Sequence, residues 1–354
     1  MNVVISGLAV VSPYGLGTAP FATGWRAARP VVTSPEDPPV ARLPELTGDD
    51  FTPNRRVRLK ERSSALAVGT VGALLAAYDL ADVPAARRGV VLGSALASLD
   101  SYLAVSGGSL AGAKPHFIDH NLMPPGIMNY TSSQAAIRFD LRGPNVTVTS
   151  GRATGLTALG CARRLVAAGR ADAVLAGAFE ALSPRRLRLE AAADRAPALA
   201  GEGCCVFLLE AAATAERAGR RVLATPLALT AGFFAEPADG RAALRGAVTR
   251  ALRQAGVAAD DVATVVRGAA APGRYADDEA AVLADVAPGV PVLDPAARIG
   301  DTYGASAAFA VAAAIVEAGT EPPAGVTLVT SIDPDGQVAC AVLAPGSRAP
   351  AAVG

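Results

Sequence analysis

At 354 residues, half of them hydrophobic, the chain is long enough for two average domains or one large one around a substantial core. Lysine plus arginine and aspartate plus glutamate balance at 32 each, so no global field draws in nucleic acid or an anionic membrane. The opening M-N-V-V-I-S-G-L-A-V-V lacks a basic stretch, and no uninterrupted apolar run reaches the roughly 18 to 20 residues of a membrane span, so a cytoplasmic protein is expected.

In chain order, β-like runs stand at 3–11, 89–94, 146–149, 172–177 and 205–210, with helical patterns filling the gaps, including 60–80 and 154–168. After A-E-R-A-G-R-R a second series begins with P-L-A-L-T-A-G-F-F-A and continues at 264–268, 290–293, 326–331 and 338–343. This alternation predicts a layered α/β fold with helix-covered sheets. Each series opens with a strand, carries a helical crossover and closes with a hairpin-like pair, so two similar halves are expected, 1–218 and 219–354. The turn in S-I-D-P-D-G-Q marks the second hairpin. The segments 34–44 and 185–190 read as surface insertions.

Cys161, Cys204, Cys205 and Cys340 sit in apolar runs without metal-like spacing, which predicts buried, reduced thiols. His116 and His120 flank F-I-D among prolines, where no metal site is expected. The stretch V-T-V-T-S-G-R-A-T-G-L is a strand, a tight turn and a helix start, an arrangement that lifts one residue to the mouth of a site. That residue is Arg152. Ser150 and Thr154 beside it have no base in reach and read as capping and turn residues.

V-V-I-S-G-L-A-V-V-S-P-Y-G-L-G (3–17), I-R-F-D-L-R-G-P-N-V-T-V (137–148) and R-I-G-D-T-Y-G-A-S (298–306) together resemble the β-ketoacyl synthases of fatty-acid and polyketide assembly. The resemblance implies a thiolase-like fold of two βαβαβαββ halves in α-β-α-β-α layers. It also places the family's catalytic cysteine on Arg152, its first histidine on Arg267 of R-G-A-A-A-P, its second histidine on Asp301 and its lysine on Ala296. The family's glycine-rich G-F-G-G turn, whose phenylalanine gates the pocket, falls on I-D-P-D-G-Q-V at 332–338.

Claisen condensation needs a thiolate nucleophile and two imidazoles. An arginine, cationic up to a pKa of about 12 and beyond, supplies neither. With the fold kept, Arg152, Arg267 and Asp301 are expected to meet in one partly buried pocket. Arg152 at a helix start calls for an anion, and Asp301 is the expected partner. Two alternatives stand: Arg152 reaches solvent with Asp301 paired elsewhere, or the two arginines hold a substrate carboxylate or phosphate. Among Asp277, Asp278 and Glu279, one carboxylate is placed to serve Arg267 or to cap its helix.

Within the resembled family, a chain stripped of these groups is similar to the chain length factors, or ketosynthase β subunits, of type II polyketide synthases. The implied partners are an active ketosynthase α subunit, in a heterodimer, and an acyl carrier protein acting through the complex. No cofactor is implied. Most such subunits carry glutamine at the cysteine position, so Arg152 departs from them. The strand at 146–150 is the implied dimer edge, and Tyr102, Leu103, Met123, Ile127, Met128 and Tyr130 are the candidate tunnel or interface residues. The other readings are a homodimeric enzyme using an arginine pocket for acyl transfer, hydrolysis or cyclisation, and a non-catalytic scaffold.

Overall fold

A computed structural model describes residues 2–35, 38–44, 61–268, 273–319 and 324–346. Ten strands carry its frame. In the first half they are β1 (Val3–Ser12), β2 (Arg88–Gly93), β3 (Asn145–Val148), β4 (Ala173–Glu180) and β5 (Gly203–Ala211). In the second they are β6 (Ala224–Phe233), β7 (Val262–Arg267), β8 (Val292–Leu293), β9 (Val326–Ile332) and β10 (Gln337–Pro345).

The spatial order is β3-β2-β4-β5-β1 in the first half and β8-β7-β9-β10-β6 in the second. If the strands of each half are counted from its own start, both orders read 3-2-4-5-1, so the two halves repeat one topology. In each, the two crossover pairs are parallel and the closing strand runs antiparallel to its neighbours. A single pairing of Ile5 with Ala224 joins the two into one continuous ladder.

Burial alternates along the strands and assigns the layers. In β5, Cys205, Phe207 and Leu209 face a central core, while Cys204, Val206 and Leu208 face an outer one. A strand covered on both faces is apolar at every position, which is why these segments read as continuous runs. The central core holds two helices, Thr154–Ala167 and Ser306–Ala318, one from each half. Every residue of the second from 306 to 316 is buried. The outer cores are closed by Arg62–Ala77 over the first half and Gly240–Ala255 over the second. The result is the expected five-layer α-β-α-β-α stack. The central helices approach so closely that a Cβ on Gly155 would sit 2.3 Å from the Ala308 nitrogen, so this position requires glycine.

Two expectations are corrected. Part of 34–44 is not a surface insertion: Val40 and Ala41 are buried and pair in parallel with Ala200 and Gly201. Nor is 185–190, which lies in a helix, Pro184–Ala192, capped by the Ser183 side chain and carrying Arg186 and Glu190 into the interior. The helix expected at 60–80 runs from Arg62 to Ala77, with the Glu61 carboxylate accepting from the Ser63 and Ser64 amides; residue 60 lies outside the described residues. The four cysteines are free and Cys204, Cys205 and Cys340 are buried; burial pushes the Cys204 thiol up to about 12.

Candidate functional site

Strand β3 runs into a one-turn 3-10 segment, Gly151–Ala153, and then into the central helix Thr154–Ala167. Thr154 Oγ1 accepts from the Ser150 amide at 2.8 Å and donates to the Gly151 carbonyl at 2.6 Å. Ser150 and Thr154 thus build the turn that aims Arg152. The second half repeats the construction: β8, a short helix Ala296–Ile299, Asp301, a 3-10 turn Tyr303–Ala305 and the central helix Ser306–Ala318. Arg152 and Asp301 therefore both stand ahead of a central helix, Arg152 inside its 3-10 turn and Asp301 two residues before its own.

They meet. Arg152 Nε and Nη2 donate to Asp301 Oδ2 at 2.9 and 2.6 Å, and both residues are buried, at 0% and 3% exposure. Asp333 is a second partner: its Oδ2 accepts from the Arg152 amide at 2.8 Å and lies 3.5 Å from Nη1. A cation at a helix N-terminus is disfavoured by about 0.3 to 1 kcal/mol. Two buried carboxylates outweigh that term. Burial pulls the guanidinium pKa down, but Asp301 and Asp333 reverse the effect and leave it raised. Burial pushes the Asp301 carboxyl up, yet Arg152 more than offsets it and the net shift is downward. The site is a closed ion cluster.

Asp333 and Arg186 belong to this cluster and were missed by the sequence reading. Arg186 Nη1 and Nη2 donate to the carbonyls of Gly201 and Asp301 at 2.7 and 2.8 Å, and Nε lies 3.2 Å from Glu190 Oε1. Both guanidinium groups also face the Tyr303 ring, Arg152 at 4.8 Å and Arg186 at 5.7 Å from its centroid. Tyr303 holds a positive φ of 47°, a conformation that its amide, donating to Asp301 Oδ1 at 2.8 Å, helps to fix. Burial pushes the phenol up to about 12. The sequence signals the helix that carries Arg186, through an N-cap Ser183, Pro184 at the first turn and an Arg186/Glu190 pair at i, i+4, but not the burial of its side chain.

The expected cluster of Arg152, Arg267 and Asp301 does not form as such. Arg267, at the end of β7, donates through Nε to Glu279 Oε2 at 2.8 Å and lies 3.8 Å from Asp294. Glu279 is fully buried and also accepts from Thr330 Oγ1 at 2.7 Å. The arginine is taken by the acidic stretch that follows it, which removes it from Arg152. Ala296 opens its short helix, its amide donating to Asp294 Oδ1 at 2.9 Å. Residues 269–272 of the R-G-A-A-A-P motif lie outside the described residues.

Beside the cluster is a cavity of about 350 Å³, with Glu180 and Arg186 among its lining and the helix Leu99–Ala111 contributing Leu99, Asp100, Ser101 and Ala104. Glu180 is fully buried and accepts from Ser94 Oγ, the Ala95 amide and the Leu96 amide at 2.9, 2.8 and 3.3 Å. Burial pushes its carboxyl up to about 7 against the pull of Arg186 and these donors. None of Tyr102, Leu103, Met123, Ile127, Met128 or Tyr130 lines the cavity. The first five are exposed and Tyr130 is half-buried, so they spread over the outer surface on and near the same helix. No helix among the described residues is long and apolar enough to cross a membrane.

The model of the β-ketoacyl synthase N-terminal domain matches residues 1–207. A 3-oxoacyl-[acyl-carrier-protein] synthase 2 of Rhizobium meliloti is 31% identical over 74% of this chain and 72% of its own length. The actinorhodin polyketide putative beta-ketoacyl synthase 2 of Streptomyces coelicolor is 30% identical over 93% of this chain and 89% of its own. Among solved structures, an ishigamide ketosynthase/chain length factor chain superposes with a TM-score of 0.87 at 35% identity, covering 98% of this chain and 99% of that one. A ketosynthase from Burkholderia phymatum shares the fold at 19% identity, with a TM-score of 0.86 and coverage of 98% and 100%. The chain belongs to the β-ketoacyl synthase family, has the thiolase fold, and is similar to the ketosynthase and chain-length-factor proteins of type II polyketide synthases.

Proposed function

We propose that this chain is the non-condensing, chain-length-factor-type subunit of a cytoplasmic polyketide-forming heterodimer, built of halves 1–218 and 219–354. One observation carries the reading: Arg152, the residue that the resemblance aligns with the family's nucleophile, is a fully buried guanidinium held by Asp301 and Asp333. Such a group takes up no acyl chain, and the side chains that its guanidinium bonds are the carboxylates of Asp301 and Asp333, with no imidazole beside them. The active ketosynthase supplies the chemistry, and the acyl carrier protein reaches this chain only through the complex.

Two features support the partner. Among the described residues strand β3 ends the sheet with an unpaired edge, which a second sheet would extend by strand pairing. Tyr102, Leu103, Met123, Ile127 and Met128 form exposed apolar surface on and near the helix Leu99–Ala111, and Tyr130 borders it. The cavity behind that helix gives the pair room for a growing chain on this side.

The test is reconstitution. The chain is produced alone and with a condensing ketosynthase from the same source, and both are supplied with loaded carrier protein. The expected result is a stable pair in which each subunit alone makes no product. A soluble homodimer that turns over an acyl thioester by itself overturns the reading in favour of an enzyme with altered chemistry.

A further inference from the structure

Asp333 belongs to the turn at 333–336 between β9 and β10, closed by the Gly336 amide donating to the Asp333 carbonyl at 3.0 Å. From inside, its Oδ2 is bound by Arg152. Its Oδ1 accepts from the Asp335 amide at 2.8 Å, and Asp335 Oδ1 in turn accepts from Arg195 Nη1 at 2.6 Å on the surface. The Arg195 amide donates to the Glu190 carbonyl at 2.8 Å, which anchors this chain of contacts to the helix that carries Arg186. The turn also lies directly on the head of the central helix: a Cβ on Gly151 would stand 2.5 Å from the Asp333 carboxylate. Arg152 and Asp333 are both 0% exposed while Gly151 is half-buried, so a group reaches the Arg152 side chain only by moving what packs on it, the turn included.

Resting on the subunit reading above, we propose that the turn at 333–336 is a latch. Held by Arg152 within and Arg195 without, it closes this chain's helix start to the thioester-bearing pantetheine arm of a carrier protein. Acyl and extender units therefore enter the pair through the partner's side alone. Arg152 and Asp333 are positioning residues in this scheme, excluding a substrate rather than binding one. Arg195 and Asp335 are the surface half of the same device.

Two measurements on the reconstituted pair test it. Amide exchange in the unmodified chain is read at Arg152 and Asp335; the latch requires both to be slow, and Arg195→Ala is expected to speed them by about tenfold or more through easier local opening. A carrier protein bearing a chloroacetyl-tipped pantetheine is then offered to R152C and to R152C/D333G/D335G, with the partner's cysteine replaced by alanine and free iodoacetamide as the small reagent. The carrier-borne probe is expected to label the opened variant at least about tenfold faster than R152C, in which the inner hold is lost but Arg195 still holds the turn through Asp335, a larger ratio than iodoacetamide shows. Equal labelling of the two variants, or fast exchange at Arg152 in the unmodified chain, overturns the latch. If R152C does not fold, the exchange measurement decides alone. Loss of the subunit reading shows separately, as a partner that condenses equally well without this chain.

Discussion

Arg152 Nη2 and Asp301 Oδ2 lie 2.6 Å apart across the join of the two halves, each residue just ahead of its own central helix. An ion pair so placed ties the two repeats near the close approach of their central helices at Gly155 and Ala308. Removing one partner leaves the other charged and dry. Arg152→Ala, which strands both Asp301 and Asp333, is expected to destabilise the chain by about 3–5 kcal/mol. The triple change R152A/D301A/D333A is expected to cost less than Arg152→Ala alone, because it removes the uncompensated carboxylates. Denaturant unfolding of the unmodified chain and the two variants checks this, and a triple variant less stable than the single one contradicts it.

The frame of the fold was legible because its strands are buried on two faces. Such strands leave continuous apolar runs, which the sequence displays in β1, β2, β4, β5, β9 and β10, while β3, β6 and β8 are partly exposed. The Arg152–Asp301 pair was legible through the resemblance, which aligned both residues with known positions. Arg186 was not. A segment reading R-R-L-R-L-E looks like surface, and its burial depends on carbonyls of Gly201 and Asp301 that local pattern does not reveal. Asp333 was not legible because its partner Arg152 is 181 residues away in the chain, and P-D-G as a local pattern marks only a turn. The resemblance groups Arg267 with Arg152 and Asp301, yet Glu279 on the following helix holds it.

Glu180 gives the chain a testable pH response. Its folded carboxyl is raised to about 7, above the ordinary glutamate value, so the folded state holds a proton that the unfolded state has lost. For an acid raised in this way, stability is highest below the unfolded pKa and falls as pH rises toward the folded one. The window is about pH 4.5 to 7, and the full difference is on the order of 3 kcal/mol. Glu180→Gln is expected to remove this slope. The amide oxygen keeps the Ala95 and Leu96 donors, while its nitrogen donates to Ser94 Oγ, which turns to accept. Unfolding free energies of the two proteins between pH 5 and 8 are the measurement; parallel curves refute the assignment.

Ile127 and Met123, 58% and 46% exposed, lie on the apolar surface that the proposed partner covers. Because both face solvent in the single chain, I127D or M123D is expected to change its stability by no more than about 0.5 kcal/mol. In a buried interface the same charge is desolvated without a partner, and pair affinity is expected to fall by about tenfold or more. Analytical ultracentrifugation of each variant with the ketosynthase reads the second effect and circular dichroism the first. A variant that pairs normally places the interface elsewhere.

The helix Leu99–Ala111 is weakly built for an element that walls a cavity. Ser101 is its one buried residue, and Gly107 and Gly108 stand side by side in its second half. Gly107 is under no steric constraint, since an added Cβ meets nothing within 4 Å and its φ is not left-handed. Glycine in a helix interior costs about 0.5–1 kcal/mol relative to alanine. Gly107→Ala is therefore expected to stabilise the helix by about that amount, slowing amide exchange across residues 103–111 by roughly two- to fivefold without moving the global unfolding transition by more. If the helix yields to seat chains of different length, the same change narrows the range of product lengths in the reconstituted pair, which mass spectrometry of the released chains reads directly. A slower-exchanging helix with an unchanged product range separates the two claims: the helix is then weak for want of packing, and its weakness serves no accommodation of the chain.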